Sequence, residues 1–352
     1  MRGYIPYYGA SGIVDYVNDY LFDDDLILLG EDGENILSRN RPLAFRISGK
    51  TWVNNHAHVL KPWPGVNISY LTAYLESLNY ERLNTGTAQP KLNKESCANI
   101  PVALPSSTVE QEAIGNALDD ADAYIESLEQ LLAKKRAIMQ GAMQELLTGK
   151  RRLPGFSGEW KIKRLGDIAD IDPENLASDT DPSFSFNYVS LEDVNTGRLD
   201  AYSEQSFATA PSRARRKLRK GDVLISTVRP NLKSHLLFGH VSGDWICSTG
   251  FSVVRCRPRV SVPGYVFFHM FAGAVNNQIQ SLLVGSNYPA INSRDVADLS
   301  VPFPEYTEQV EIVSVLADMD AELAALDQTL DKARDIKQGM MQQLLTGKAR
   351  LV

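Results

Sequence analysis

The chain has 352 residues, carries 36 Lys and Arg against 43 Asp and Glu for a net charge of −7, and is 43% hydrophobic. That length predicts about two domains, and the composition is that of an ordinary globular protein. It opens with no basic stretch leading into an apolar run, so no secretory signal is expected. Cys97, Cys247 and Cys256 show no CxxC spacing, which argues against a disulfide framework or a zinc site and for a cytoplasmic location.

In chain order, Tyr4 to Gly12 is the first segment of interest: an aromatic core turn or a contact loop, with Tyr7 and Ser11 as candidate DNA contacts. Asp25 to Leu28 reads as an apolar strand entered through an acidic residue. The run Trp52 to His58 holds Asn54, Asn55 and His56; an Asn/His cluster facing DNA and a satisfied strand edge are the two readings. His56 and His58 alternate on a strand, but no third metal ligand is evident nearby, so no metal is expected. Gly86 to Asn93 sets small, hydroxyl and amide side chains, Thr87 and Gln89 among them, around a proline. Such a loop can reach phosphate or base edges, or form a turn before a core strand.

Glu110 to Lys150 recurs as Glu308 to Lys348, an offset of 198 residues without a gap and with 22 identities in 41 positions. Such self-similarity outranks any local signal. In the first copy Ile114, Leu118, Ile125, Leu128 and Leu132 keep a spacing of threes, fours and sevens, and Ile312, Leu316, Leu323, Leu326 and Leu330 repeat it. That is a coiled-coil seam, and the simplest way to cover both seams is to pair the copies with each other. Each copy closes at Leu-Leu-Thr-Gly-Lys, where Gly149 and Gly347 suit the left-handed position past a helix end.

The regions between repeat more faintly. Asp25–Leu28 matches Asp222–Ile225, Ser48–Val53 matches Ser242–Ile246, and Gly86–Asn93 matches Gly285–Asn292. The expected order is therefore globule (1–105), helix (106–153), globule (154–305), helix (306–352). The segment Trp160 to Ile168 opens the second globule, and its counterpart would fall about 38 positions ahead of Met1, so the first globule starts late in the repeat.

Net acidity speaks against a uniform nucleic-acid footprint but does not decide. Six of the eight residues from Arg213 to Lys220 are basic, and a local patch binds phosphate whatever the total charge. Arg213, Arg215, Arg216 and Lys217 are candidate phosphate contacts there, or one solvated face. Arg229, Asn231 and Lys233 follow in a loop, and Arg and Asn can bridge guanine and adenine edges respectively. Ser286 and Asn287 occupy the second proline loop. The apolar run Val262 to Val275 is about 14 residues, too short for a span of about 20, and is expected as a buried core helix. No P-loop, GxSxG, HExxH or GxGxxG motif is present, so catalysis is not expected.

Taken together, Tyr7–Gly12, Gly30–Gly33, Asn54–His58, Gly86–Pro90, the Glu-Gln opening of each long helix, and Leu-Leu-Thr-Gly-Lys followed by Arg152–Phe156 and Trp160 resemble specificity subunits of type I restriction–modification systems over essentially the whole length. The resemblance implies a non-catalytic α+β protein. Two mixed α/β target-recognition domains would be separated by two long helices pairing as an antiparallel coiled coil, in a pseudo-two-fold internal repeat. It also implies double-stranded DNA as ligand, two methyltransferase subunits docked on the helices, and restriction endonuclease/translocase subunits joining them. No cofactor would bind this chain directly. S-adenosylmethionine would belong to the methyltransferase, and ATP and Mg to the restriction subunit. The alternative is an interaction scaffold derived from such a subunit that does not bind DNA itself.

Overall fold

A computed structural model describes residues 3–86, 88–283 and 289–351. It divides into two compact units, Met1–Leu132 with Leu326–Val352, and Ala133–Ala325.

The first unit contains β1 (Ile5–Gly9), β2 (Gly12–Val17), β3 (Phe22–Asp23), β4 (Leu26–Gly30), α1 (Asn35–Ser38), β5 (Ala44–Ile47), β6 (Lys50–Val53), β7 (Ala57–Leu60), α2 (Ile68–Ser77), α3 (Lys94–Ala98) and the start of α4 (Thr108–Leu146). Its sheets run β2-β1-β6-β3 and β5-β4-β7. The expected strand at Leu26 is the centre of the second sheet and is buried along its whole length. Because strand side chains alternate in direction, Ile27 and Leu29 join Leu75 and Leu92 in one cluster, while Leu26 and Leu28 join Val53 in another. Each fully buried leucine of this kind contributes about 2 kcal/mol.

The second unit contains β8 (Lys161–Arg164), α5 (Leu165–Ile168), β9 (Ala169–Ile171), β10 (Ser185–Val189), β11 (Val194–Asn195), β12 (Arg198–Leu199), β13 (Ser203–Ser206), β14 (Ala214–Lys217), β15 (Val223–Ser226), β16 (Leu236–Leu237), β17 (Trp245–Ser248), β18 (Phe251–Cys256), α6 (Pro263–Phe271), α7 (Gly273–Leu282), α8 (Ser293–Asp298), β19 (Ser300–Phe303) and the start of α9 (Tyr306–Leu344). Its main sheets run β13-β10-β17-β14 and β16-β15-β18-β9. The order matches the first unit strand for strand. In both, the inner pair is parallel, Tyr7 opposite Trp52 and Asn187 opposite Trp245. Three pairings go beyond the strands described in the first unit: β11 with β12, β9 on the outer edge of β18, and β8 with β19.

The apolar run at Val262 is two helices rather than one. The chain breaks at Ala272, ahead of Gly273, a residue that disfavours helix continuation. Among the described residues no helix is long and apolar enough to cross a membrane.

Both long helices form as expected, and Gly149 and Gly347 take φ of 70° and 71°. Of the seam residues, Ile114, Leu118, Leu128, Leu132, Ile312, Leu316 and Leu330 are buried, and Ile125, Leu323 and Leu326 half-buried. In the first unit Ile114 and Leu118 pack with Leu344, Leu345 and Tyr70, Asp122 pairs with Lys337, and Glu129 with Arg334. In the second, Leu146 and Leu147 pack with Ile312 and Leu316, and Lys135 pairs with Glu322. Within each unit, residue numbers rise along one helix as they fall along the other.

Candidate nucleic-acid interface

The Glu-Gln pair that opens each repeat fixes a globule to its helix. In the first unit Gln111 accepts from the Asn67 amide (2.9 Å) and donates to the carbonyls of Gly65 (3.3 Å) and Pro105 (2.8 Å). In the second, Gln309 accepts from Val262 (3.0 Å) and donates to Val260 (3.2 Å) and Pro304 (3.0 Å). Both glutamines are buried, so each satisfies three backbone groups that would otherwise be costly to bury. A tyrosine repeats the pattern: Tyr70 donates to the Ala103 carbonyl (2.6 Å) and Tyr265 to that of Pro302 (2.8 Å). Alongside, a Cβ on Gly115 of α4 would stand 2.8 Å from Ser69, while in the second unit the glycine is on the globule, Gly264, against Val313 of α9. Sequence reading singled out the Glu-Gln pairs but not this clamp; the signal was their identical placement before each seam.

On the first globule the structure gathers several of the candidate segments. Asn54 donates its amide to the Tyr8 carbonyl (3.0 Å), and its side chain accepts from the His56 amide (2.9 Å). This sets the Asn54–His56 turn beside the end of β1 that carries Tyr7. Ser11 lies in the β1–β2 turn, and Gly30 approaches the Ala10 carbonyl beside it. His56 meets Asp32 at 2.7 Å, and His58 contacts the Leu92 carbonyl at 2.7 Å. Glu31 and Asp32 are hydrogen-bonded to the Pro90–Leu92 strip, so the proline loop joins the same surface. Asn55 and Gln89 are exposed there; Thr87 lies outside the described residues. Among the described residues no group of three metal-ligating side chains is assembled.

On the second globule the basic run is mainly β14, the edge strand next to β17. It is not one solvated face. Arg216 is nearly buried, pairs with Asp172 and reaches the Ser293 hydroxyl (3.4 Å). Burial lowers its pKa below the usual arginine value. Arg215 lies over the Phe207 ring (4.9 Å), and Arg219 pairs with Glu174. Arg213, Lys217 and Lys220 are exposed, with no ion pair among the described residues. The acids that pair with Arg216 and Arg219, Asp172 and Glu174, were not recognised in the sequence; they follow β9 at a two-residue spacing.

Thr227 to Lys233 wraps a single 3₁₀ turn with Arg229 and Lys233 at positive φ (48° and 56°) on either side. Non-glycine residues rarely hold that conformation. The Arg229 amide donates to the Pro289 carbonyl (2.8 Å), and that of Ile291 to Thr227 (2.9 Å). The Arg/Asn/Lys loop and the second proline loop are therefore neighbours, with Arg229 and Asn231 exposed. Ser286 and Asn287 lie outside the described residues. The loops were expected either to touch DNA or to precede core strands. Each in fact leads into a short helix, where Asn93 and Asn292 act as caps.

The sequence profile described as Type I restriction modification DNA specificity domain matches residues 1–134 and 157–333, and the chain belongs to that family. A putative type I restriction enzyme specificity subunit, S.HindORF215P of Haemophilus influenzae, is 35% identical over 114 residues, 32% of this chain and 29% of that protein. The HindI specificity subunit of the same organism is 23% identical over 187 residues, 49% of this chain and 39% of that one. This chain thus spans less than two fifths of either. The EcoDI specificity subunit of Escherichia coli is 22% identical over 369 residues, covering 94% of this chain and 78% of that protein. In fold, the chain is similar to the type I restriction–modification S subunit from M. genitalium, with TM-score 0.65, 14% identity, and coverage of 97% and 88%. A structure described as showing assembly and conformational transition of a type I system gives TM-score 0.55 at 14% identity, covering 97% of this chain and 91% of that one.

Proposed function

We propose that the chain reads a bipartite, asymmetric DNA sequence, each globule taking one half, and that its two long helices pair as an antiparallel coiled coil on which two methyltransferase subunits dock, bringing restriction subunits with them. The observation that carries this reading is the contrast between clamp and surface. Two alike partners require two alike landing places, which the repeated helices and their Gln111 and Gln309 clamps supply. Two unlike half-sites require unlike contacts. Those are Tyr7, Ser11, Asn54, Asn55, His56, Thr87 and Gln89 on one globule. On the other they are Arg213, Arg215, Lys217, Arg229, Asn231, Lys233, Ser286 and Asn287, whereas Arg216, expected among them, is nearly buried and holds the strand from beneath. The domain limits follow the same plan, 1–105 and 154–305 as readers, 106–153 and 306–352 as spacers. Amide and guanidinium groups read base edges in the major groove, and the exposed lysines and arginines supply phosphate contacts.

The experiment replaces residues 154–305 with the corresponding region of another family member, copurifies the hybrid with its methyltransferase partner, and maps methylated bases. The expected result is a change confined to one half of the site. An unchanged methylated sequence, or failure of the intact chain to copurify with a methyltransferase, overturns the reading. The scaffold alternative predicts copurification without salt-dependent DNA binding.

A further inference from the structure

The two units share one short backbone device and differ in the side chain it presents. In the first unit the Glu31 amide donates to the His56 carbonyl (2.8 Å), and the Glu31 carbonyl accepts from the Leu92 amide (2.7 Å). Two residues on, the Gly33 amide donates to the Pro90 carbonyl (3.0 Å). In the second unit the Thr227 amide donates to the Gly250 carbonyl (2.8 Å), the Thr227 carbonyl accepts from Ile291 (2.9 Å), and the Arg229 amide donates to Pro289 (2.8 Å). The residue between is bridged alike, Asp32 to Lys91 and Val228 to Ala290. Arg229 thus stands where the first unit has Gly33.

Both positions have positive φ, 105° at Gly33 and 48° at Arg229. Glycine takes such values freely, whereas a residue with a Cβ seldom does. No described residue would come within 4 Å of a Cβ at Gly33, so this place in the device looks onto open space. At the same place the second unit carries an exposed arginine. A disfavoured backbone kept under a long charged side chain points to a use for that side chain.

The loop is also fixed on its other flank. The Thr227 hydroxyl donates to the Gly250 carbonyl (2.7 Å), and the Thr249 amide donates to the Arg213 carbonyl (2.8 Å) at the head of the basic edge strand. One hydrogen-bonded surface therefore runs from Arg213 through Arg229 to the second proline loop. A phosphate contact asks only for a cation near the DNA backbone, which Arg213 and Lys217 supply. A base edge asks for a guanidinium held in place.

On the reading of DNA given above, we propose that Arg229 is a specificity-determining residue of the second globule, and that the half-site this globule reads contains a guanine whose O6 and N7 the guanidinium bridges. The αL backbone and its three hydrogen bonds set where that side chain starts.

The test uses the full chain copurified with its methyltransferase partner, supplied with S-adenosylmethionine and plasmid DNA carrying randomised sequence, and methylated sites are read by sequencing. The wild-type complex should require guanine at one position of the half-site that exchange of residues 154–305 alters. Arg229→Gly installs the first unit's own residue on a backbone that suits it. It should lower the preference for guanine at that position at least about tenfold, while every other position keeps its base. Arg229→Lys, which retains the charge without the planar fork, should do the same. Replacing the guanine by 7-deazaguanine, which lacks the N7 acceptor, should weaken binding of the wild-type complex and not that of Arg229→Gly. A half-site without guanine, or an undiminished guanine preference in Arg229→Gly, would overturn the proposal and leave the bipartite reading standing. So would a loss spread evenly over all sequences with a fall of about 1 in the salt slope, which marks a phosphate contact. A wild-type complex that methylates no recurring sequence would overturn the reading itself, and this proposal with it.

Discussion

In the first unit the edge beside the central parallel pair is Phe22-Asp23, continued by Asp24 and Asp25; in the second it is Ala214–Lys217, rich in arginine. The opposite edge reverses the pattern. There β2 exposes Ile13, Val14 and Tyr16, whereas β13 is Ser-Glu-Gln-Ser. Beneath these edges the same strands pair in the same order, and the same glutamine ties each globule down. Charge and polarity have diverged where side chains meet solvent, while the positions that satisfy buried backbone groups have not. An edge residue changes surface chemistry at little cost in stability, whereas loss of a buried acceptor leaves its partners unpaired.

The largest asymmetry expected between the units is their response to acid. Burial holds His235 down to about 4 and His269 to about 3, both in the second unit, and the Ser226 amide donates to His235 Nδ1, which fixes the neutral ring. Unfolded, these rings take up protons below about 6.5. Stability is therefore full above that value and is lost as pH falls from about 6.5 toward 4 and then 3. Hydrogen exchange followed by mass spectrometry at pH 7 and 4.5 should show β15 and α6 losing protection before β4 and α2.

Next in size is Arg216→Met, which leaves the nearly buried Asp172 without its cation and should cost about 3 kcal/mol in a urea melt. Lys217→Ala should leave the melt unchanged and lower the salt slope of DNA binding by about 1. If both behaved alike, the division of the basic run into inner and outer members would be wrong. Gln309→Ala and Gln111→Ala should each cost about 2 kcal/mol by leaving one backbone donor and two acceptors unpaired. A large effect from one and none from the other would break the equivalence of the clamps. Gly264→Ala should cost about 2 kcal/mol through its clash with Val313, and the double variant with Val313→Ala should recover part of it. The smallest effect belongs to Lys337→Ala, which removes a surface pair with Asp122 and should cost under about 1 kcal/mol.

Much of the fold was legible because its signals are local or repeated. The strand at Leu26, the two long helices and their glycine caps follow from periodicity and duplication, and the 198-residue offset located equivalent strands before any geometry was known. What stayed hidden depends on contacts across the chain. Arg216 looked like its neighbours in the run, and only Asp172, 44 positions earlier, separates it from them. The proline loops carried an asparagine whose side chain caps a helix, which composition does not distinguish from a residue facing outward. The break at Ala272 was likewise invisible to a count of apolar residues. Of the candidate contacts, the sequence identified the segments, and folding supplies their grouping: Asn54 with Tyr8, and Arg229 with Pro289.

The duplicated glutamine clamp has a consequence for inheritance. Because both sutures are made by one short pattern at matching places, a crossover between the two stretches of gene that encode the repeats would splice unlike globules onto intact joints. New combinations of surface chemistry would then arise by shuffling whole modules.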